Sequence, residues 1–221
     1  QAVAAAQRER DDAVAADFIG PLLEVAVFFK LEDAVRSALE ARYSQALRAL
    51  HTQLPLAPPR APGGKVRVGY LTAAFSGESS ERLALALLAH HDRSRFEVSL
   101  YSLSPYAARF VESARTLVDR ESGVAGLPPR AAGEFIARDN LDVLVDLCEP
   151  GQAMAAAILA LKPARMQVAH PAFSGSARVA TIDWRLTDAT LEPVGAPSQG
   201  AKPLPLEGCV FASTWLRRTS G

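Results

Sequence analysis

An α/β fold with a parallel sheet, preceded by an all-helical segment, is what this 221-residue sequence predicts. Three observations carry it. Residues 1–54 are rich in alanine, leucine, glutamate and arginine, and Gly20 and Pro21 are the only residues of their kinds there, which is a helical composition. The stretch LPLAPPRAPGG then excludes both helix and central strand, because proline removes backbone donors and glycine adds freedom. From Lys65 onward, short β-branched or aromatic runs alternate with helical stretches, the pattern of βαβ units. The expected organisation is a helical segment over 1–54, a linker over 55–64 and a Rossmann-like unit over 65–221.

Each element follows in order. LEDAVRSALEARYSQALRAL sets Leu31, Val35, Ala38, Leu39, Tyr43, Ala46, Leu47 and Leu50 at three- and four-residue spacings, so a helix is expected over about 31–51. One or two helices precede it. AVAAAQRERDDAVAADF has the character of half a helical repeat, although no second copy follows at a fixed period. After the linker the expected strands are KVRVGYL, RFEVSLYSL, LDVLVDL, RMQVAH, TIDWRLTD and GCVFAS. The helices expected between them are SERLALALLAHH, ARFVESARTLV, PRAAGEFIARDN and QAMAAAILAL.

Composition excludes several function classes. With 49% hydrophobic residues the chain can bury a core. Lys plus Arg and Asp plus Glu both total 24 with no long run of one sign, so the footprint of a nucleic-acid binder is missing. Apolar runs such as LALALLA fall far short of the roughly 20 residues that span a bilayer, so no membrane partner is expected. Cytoplasmic localisation is expected, with no signal peptide in view. Cys148 and Cys209 lack metal-ligand spacing and are expected to be buried packing residues. A chain opening on Gln1 is expected to be a fragment or to lack its beginning.

In an open parallel sheet, ligands bind beyond the carboxyl ends of the strands. Four such loops are TAAFSGESS, SPYAARF, CEPGQ and HPAFSGSAR. In the first, Gly77 is the only glycine and Glu78 and Glu81 open the helix. Acidic groups there favour the helix dipole by about 0.3–1 kcal/mol each but repel a phosphate. The turn is therefore either a capped helix start or the place of Glu78 as general base beside a substrate hydroxyl. In the last loop His170 ends a strand, and Ser174, Gly175 and Ser176 could offer donors. A histidine so placed either takes a proton from an acceptor hydroxyl or is simply hydrogen-bonded in place. Glu149 sits at the equivalent rim, three residues from Asp146, and the two could do acid–base work if they face each other. His51, His90 and His91 are expected to be structural or surface residues.

Taken together, KVRVGYLTAAF, RFEVSLYSLSP, LDVLVDL, ILALKPARMQV, FSG and IDWRLTDATLEP resemble the amino-terminal catalytic lobe of the O-linked N-acetylglucosamine transferase / SPINDLY family. The likeness covers about Lys65 to Ser213, and LALKPARMQV is its most specific part. The resemblance implies a single lobe of the two-lobed GT-B arrangement, associated with tetratricopeptide repeats. It also implies transfer of a sugar from a nucleotide-sugar such as UDP-N-acetylglucosamine to protein Ser or Thr hydroxyls. Departures fall at the rim. In the family's D-F-x-x-H pattern Ala74 stands for the aspartate, Phe75 matches and Glu78 stands for the histidine. Glu149-Pro150-Gly151 replaces a G-H/Y-T, Ala172-Phe173-Ser174-Gly175-Ser176 replaces G-Y-P-G-T, and His170 replaces an aromatic.

The catalytic candidates are thus Glu78, His170 and Glu149, and the substrate-binding candidates are Ser79, Ser80, Phe173, Gly175 and Ser176. No metal and no cofactor is expected, the nucleotide-sugar being a substrate. Expected partners are a protein acceptor or a chain carrying a second lobe. In the family that lobe supplies most nucleotide contacts, including a cation at the leaving diphosphate, so this chain alone is not expected to transfer sugar. The alternatives are a non-catalytic binding or assembly module of the same fold and, more distantly, a Rossmann-like small-molecule binder.

Overall fold

A computed structural model of the chain describes residues 2–25, 31–59, 61, 63–75, 77–149, 152–173, 179–191, 201–208 and 210. Helices α1 (Ala2–Val25) and α2 (Asp33–Leu50) pack on each other and are tied by Arg42 Nη1 to Asp12 Oδ1 at 2.7 Å. Gly20 permits the close approach: a Cβ there would lie 3.0 Å from the Tyr43 ring. Of the expected apolar stripe, Tyr43, Ala46 and Leu47 are buried, whereas Val35 stays 46% exposed. The covered end of the stripe is the one that meets the sheet unit.

That unit runs β1 (Val66–Thr72), α3 (Glu78–Ala89), β2 (Phe96–Ser102), α4 (Ala108–Ala114), β3 (Arg120–Gly123), α5 (Pro129–Arg138), β4 (Val143–Asp146), α6 (Ala153–Ala160), β5 (Met166–Ala169), β6 (Trp184–Thr187) and β7 (Lys202–Pro205). The sheet order is β3-β2-β1-β4-β5-β6-β7 and every neighbouring pair is parallel. This is the α/β Rossmann-like arrangement expected. Helices cover both faces, so the central strands are buried on both sides and read as continuous apolar runs. On one face Leu83, Leu88 and Phe110 of α3 and α4 meet Val68, Val98 and Val145. On the other, Ile136 of α5 and Ile158 and Leu159 of α6 meet Leu71 and Leu144. Leu23, Tyr43 and Leu47 belong to that second cluster, so the helical segment packs onto the sheet unit through a shared core.

Two strands escape sequence reading. RESG of β3 is short and polar, and KPLP of β7 holds two prolines. The ladder explains the second. Lys202 N–H donates to the Asp183 carbonyl and Leu206 N–H to the Thr187 carbonyl, so Pro203 and Pro205 fall between the inward donors and face the open edge. Lacking N–H groups, they blunt that edge against pairing with another chain. The strand expected at GCVFAS lies largely outside the described residues, where only Gly208 and Val210 are described, in a bend and a turn.

The linker is held at its beginning. Leu54 is buried and its N–H donates to the Leu161 carbonyl at 2.8 Å. Arg165 donates to the Ala57 carbonyl at 3.0 Å, to the Pro58 carbonyl at 2.9 Å and to Asn140 Oδ1. Farther along the same segment, buried Gln167 donates from Nε2 to the carbonyls of Leu159 and Thr181, both at 3.0 Å, sewing the end of α6 to the turn before β6. LALKPARMQV is thus an architectural motif, at the end of the sheet opposite the strands' carboxyl termini.

Candidate functional site

Chain order along the sheet reverses between β1 and β4, so the loops leaving these strands diverge to opposite faces and open a crevice at their carboxyl ends. Register defines its rim. Leu71, Asp146 and Ala169 are level with one another across β1, β4 and β5, so Thr72, Leu147 and His170 come next.

The β4 side is built around Asp146, which is buried and accepts the Cys148 N–H through Oδ1 at 3.0 Å. That bond turns the chain just before Glu149, which is half-buried beyond the carboxyl end of β4. Cys148 lies beneath, its Sγ 3.6 Å from the Leu71 carbonyl. Burial first, and then the Asp146 charge, push its thiol well above the ordinary range, so it is a neutral packing group rather than a nucleophile, as expected from its apolar context.

On the β1 side, Gly77 precedes α3 and a Cβ there would meet nothing within 4 Å. Glu78, the first residue of α3, is exposed and its Oε2 pairs with Arg82 Nη2 at 2.9 Å, one helical turn on. Ser79 is exposed and Ser80 half-buried on the same first turn. The acidic helix start expected from the sequence is therefore present, with its first carboxylate engaged along the helix surface.

Of the two readings of His170, a base or a ring hydrogen-bonded in place, the geometry fits the second. It is 1% exposed, and its Nδ1 accepts the Ala172 N–H at 3.2 Å. A nitrogen that accepts carries no proton, so the neutral ring bears its hydrogen on Nε2 and presents a donor there. Nε2 is buried and has no hydrogen-bond partner among the described residues. Burial pulls the pKa down from 6.5 to about 4, offset in part by the Val210 backbone, which faces the ring without meeting hydrogen-bond geometry. At neutral pH the group is an uncharged donor. To act as a base through Nε2 it would have to place a hydrogen on Nδ1, against the Ala172 N–H.

Phe173 is fully buried, with its ring 5.3 Å from His170 and 5.6 Å from Phe75, so it supports the rim from below instead of offering a face to a ligand. Gly175 and Ser176 lie outside the described residues. The structure thus brings Glu149 and His170 to the carboxyl-terminal rim, with Glu78, Ser79 and Ser80 at the head of α3.

One rim residue was missed by sequence reasoning. Asp188, just past β6, is buried and accepts the N–H groups of Thr190 and Leu191 at Oδ1 and of Val210 at Oδ2, each at 2.9 Å. The Val210 and Leu191 amides hold its carboxyl below the usual range, so it stays charged and pins Val210 to the rim. The signal was present in TDAT, an aspartate followed by turn residues at a strand end.

Among the described residues, no group of three His, Cys, Asp or Glu could hold a metal ion, and no helix is long and apolar enough to cross a membrane. Two clefts of about 370 and 380 Å³ lie away from the rim, one at the amino ends of β5 to β7 beside Trp184 and Lys202, the other between the linker and α5.

Comparison with known proteins gives the following. The family model described as glycosyl transferase family 41 matches residues 25–206. The chain is similar to the probable UDP-N-acetylglucosamine–peptide N-acetylglucosaminyltransferase SPINDLY of Solanum lycopersicum, 26% identical over 66% of this chain and 16% of that protein. It is also similar to the UDP-N-acetylglucosamine–peptide N-acetylglucosaminyltransferase of Caenorhabditis elegans, 27% identical over 60% of this chain and 12% of that protein. The chain therefore spans less than a fifth of the length of these relatives. Among solved structures, an O-GlcNAc transferase from Thermobaculum terrenum superposes with a TM-score of 0.74 over 86% of this chain and 37% of that one, at 23% identity, a likeness of fold.

Proposed function

Since the chain belongs to glycosyl transferase family 41, we propose that it forms one Rossmann-like lobe of a protein glycosyltransferase, which in its complete form moves a sugar from a nucleotide-sugar to Ser or Thr hydroxyls of a protein acceptor. The observation that supports this most is that the matched span, 25–206, contains every described strand of the sheet and the crevice between β1 and β4. UDP-N-acetylglucosamine is the donor named for the relatives, and a UDP-sugar is the donor class proposed here.

The reaction asks little of one lobe. The acceptor oxygen forms a bond to the anomeric carbon, the bond from that carbon to the diphosphate oxygen breaks with its electron pair, and the hydroxyl proton leaves. Glu149, half-buried beside the crevice, is the carboxylate proposed to take that proton. Glu78 is tied to Arg82 and His170 is set as a donor, which suits them to orient the acceptor or the rim. Charge building on the diphosphate needs a cation, and that group is proposed to come from a second lobe, in the same protein or on a partner chain. The nucleotide-sugar is substrate, and the chemistry as written uses no metal.

A second reading is a non-catalytic binding or assembly module of the same fold. It is favoured by one observation: Glu78, standing where the resemblance leads one to expect an imidazole, is engaged in an exposed ion pair. Calorimetric titration with UDP, UDP-N-acetylglucosamine and GDP-fucose separates the readings. Binding of UDP or a nucleotide-sugar by the complete protein supports the transferase, whereas no binding at millimolar ligand supports the module.

A further inference from the structure

Four aromatic rings form a continuous row beneath the rim. His170, just after β5, lies 5.3 Å from Phe173, and Phe173 lies 5.6 Å from Phe75 in the turn between β1 and α3. Phe75 in turn meets Phe110 of α4 edge-on, at 4.8 Å and 79°. His170, Phe173 and Phe110 are almost wholly buried, and Phe75 is half-buried. Edge-on and tilted contacts at these distances are the favourable aromatic geometries. The row therefore joins three segments that are far apart in sequence: the turn carrying Phe75, the start of α4 and the turn after β5.

We propose that His170 is a positioning residue, whose ring, anchored by the Ala172 N–H, holds the β1–α3 turn in place through Phe173 and Phe75. The anchoring bond fixes the ring's plane, because a ring that accepts at Nδ1 cannot rotate without leaving that N–H unpaired. Contact with Phe173 then passes that orientation across β4 to the head of α3, where Gly77 and Glu78 begin the helix. The bond sets the ring's angle and the ring's faces carry the contact, so a flat apolar ring of similar size keeps the link in part, through packing on Phe173 alone, whereas a short polar side chain keeps the bond and loses the link. The mechanical link stands on the ring geometry alone; its use in sugar transfer rests on the function proposed above.

Hydrogen–deuterium exchange of the full-length protein tests the link without requiring turnover. In His170→Ala, amides of the β1–α3 turn, about ninety residues away in sequence, are expected to exchange roughly three- to tenfold faster, the size of one lost ring contact. His170→Phe, which keeps the ring but leaves the Ala172 N–H without its acceptor, is expected to restore part of the protection in that turn, and His170→Asn, which keeps an acceptor for Ala172 but no ring, is expected to restore none. Thermal melts of all three establish that they fold. Unchanged exchange in that turn in a folded His170→Ala, or rescue by asparagine instead of phenylalanine, overturns the proposal. UDP release from a UDP-sugar is measured in parallel. If it is absent from the wild type while the exchange pattern holds, the transferase reading fails and the positioning role stands.

Discussion

Lys162 Nζ and Asp183 Oδ1 meet at 2.6 Å at the end of the sheet opposite the rim. Lys162 occupies a left-handed backbone position, φ +52°, which closes the turn from α6 into β5. Asp183 completes the arrangement by accepting the Gln167 N–H at Oδ2, at 2.8 Å. One carboxylate therefore fixes a helix end, a strand start and the turn before β6.

Removing it should be costly for a reason that is not the ion pair. Both side chains are partly exposed, so the Lys162 pair is worth about 1 kcal/mol or less. The Gln167 amide, however, would lose its acceptor. Asp183→Ala is expected to destabilise by about 1–3 kcal/mol and Lys162→Ala by clearly less. Urea unfolding of the two variants checks the order, and equal losses would contradict it.

Stability should also fall in mild acid. The folded pKa of His170 is about 4 against 6.5 for the free side chain, so between these values the unfolded chain holds a proton that the folded chain excludes. Stability is then full above pH 6.5, declines as pH drops, and has lost about 3 kcal/mol from this group by pH 4. His91, lowered by burial and by Arg93, and His51, lowered by burial, act in the same direction. Between pH 7 and pH 4 the wild type should lose about 3 kcal/mol more stability than His170→Phe, so the separation of their denaturation midpoints should change by that amount. Parallel curves would refute it.

The linker should loosen when Arg165 is replaced. Its guanidinium holds two linker carbonyls, and the Leu54 N–H bonded to Leu161 reports on the strap. In Arg165→Met, the Leu54 amide is expected to exchange about tenfold faster or more, since lost hydrogen bonds of this kind are worth about 1 kcal/mol each. Residue-resolved exchange by NMR reads this directly. An unchanged Leu54 amide would show that the buried side chain alone holds the strap.

Much of the scaffold was legible because period and composition report burial. β1, β2, β4, β5 and β6 each gave an apolar or aromatic run, and α3, α4, α5 and α6 each gave a helical stretch. β3 and β7 were not legible, because RESG and KPLP become strands only through pairing with β2 and β6. The strands' carboxyl ends located the rim, yet the role of His170 could not be read from sequence. That role depends on which ring nitrogen meets the Ala172 N–H, and on a burial that only the folded chain creates, with Phe173 against the ring. The described residues of the Pro/Gly linker form neither helix nor strand, as its composition predicted, but Arg165, 107 and 108 residues from its partners, fixes the Ala57–Pro58 stretch.

The most direct test of the central claim is UDP release from UDP-N-acetylglucosamine by the full-length protein with a Ser/Thr-rich acceptor, in wild type and Glu149→Gln. The account predicts acceptor-dependent release that falls by about 100-fold or more in the variant, as for loss of a general base. No release by the wild type, or equal release by both, would contradict the assignment of sugar transfer to this rim.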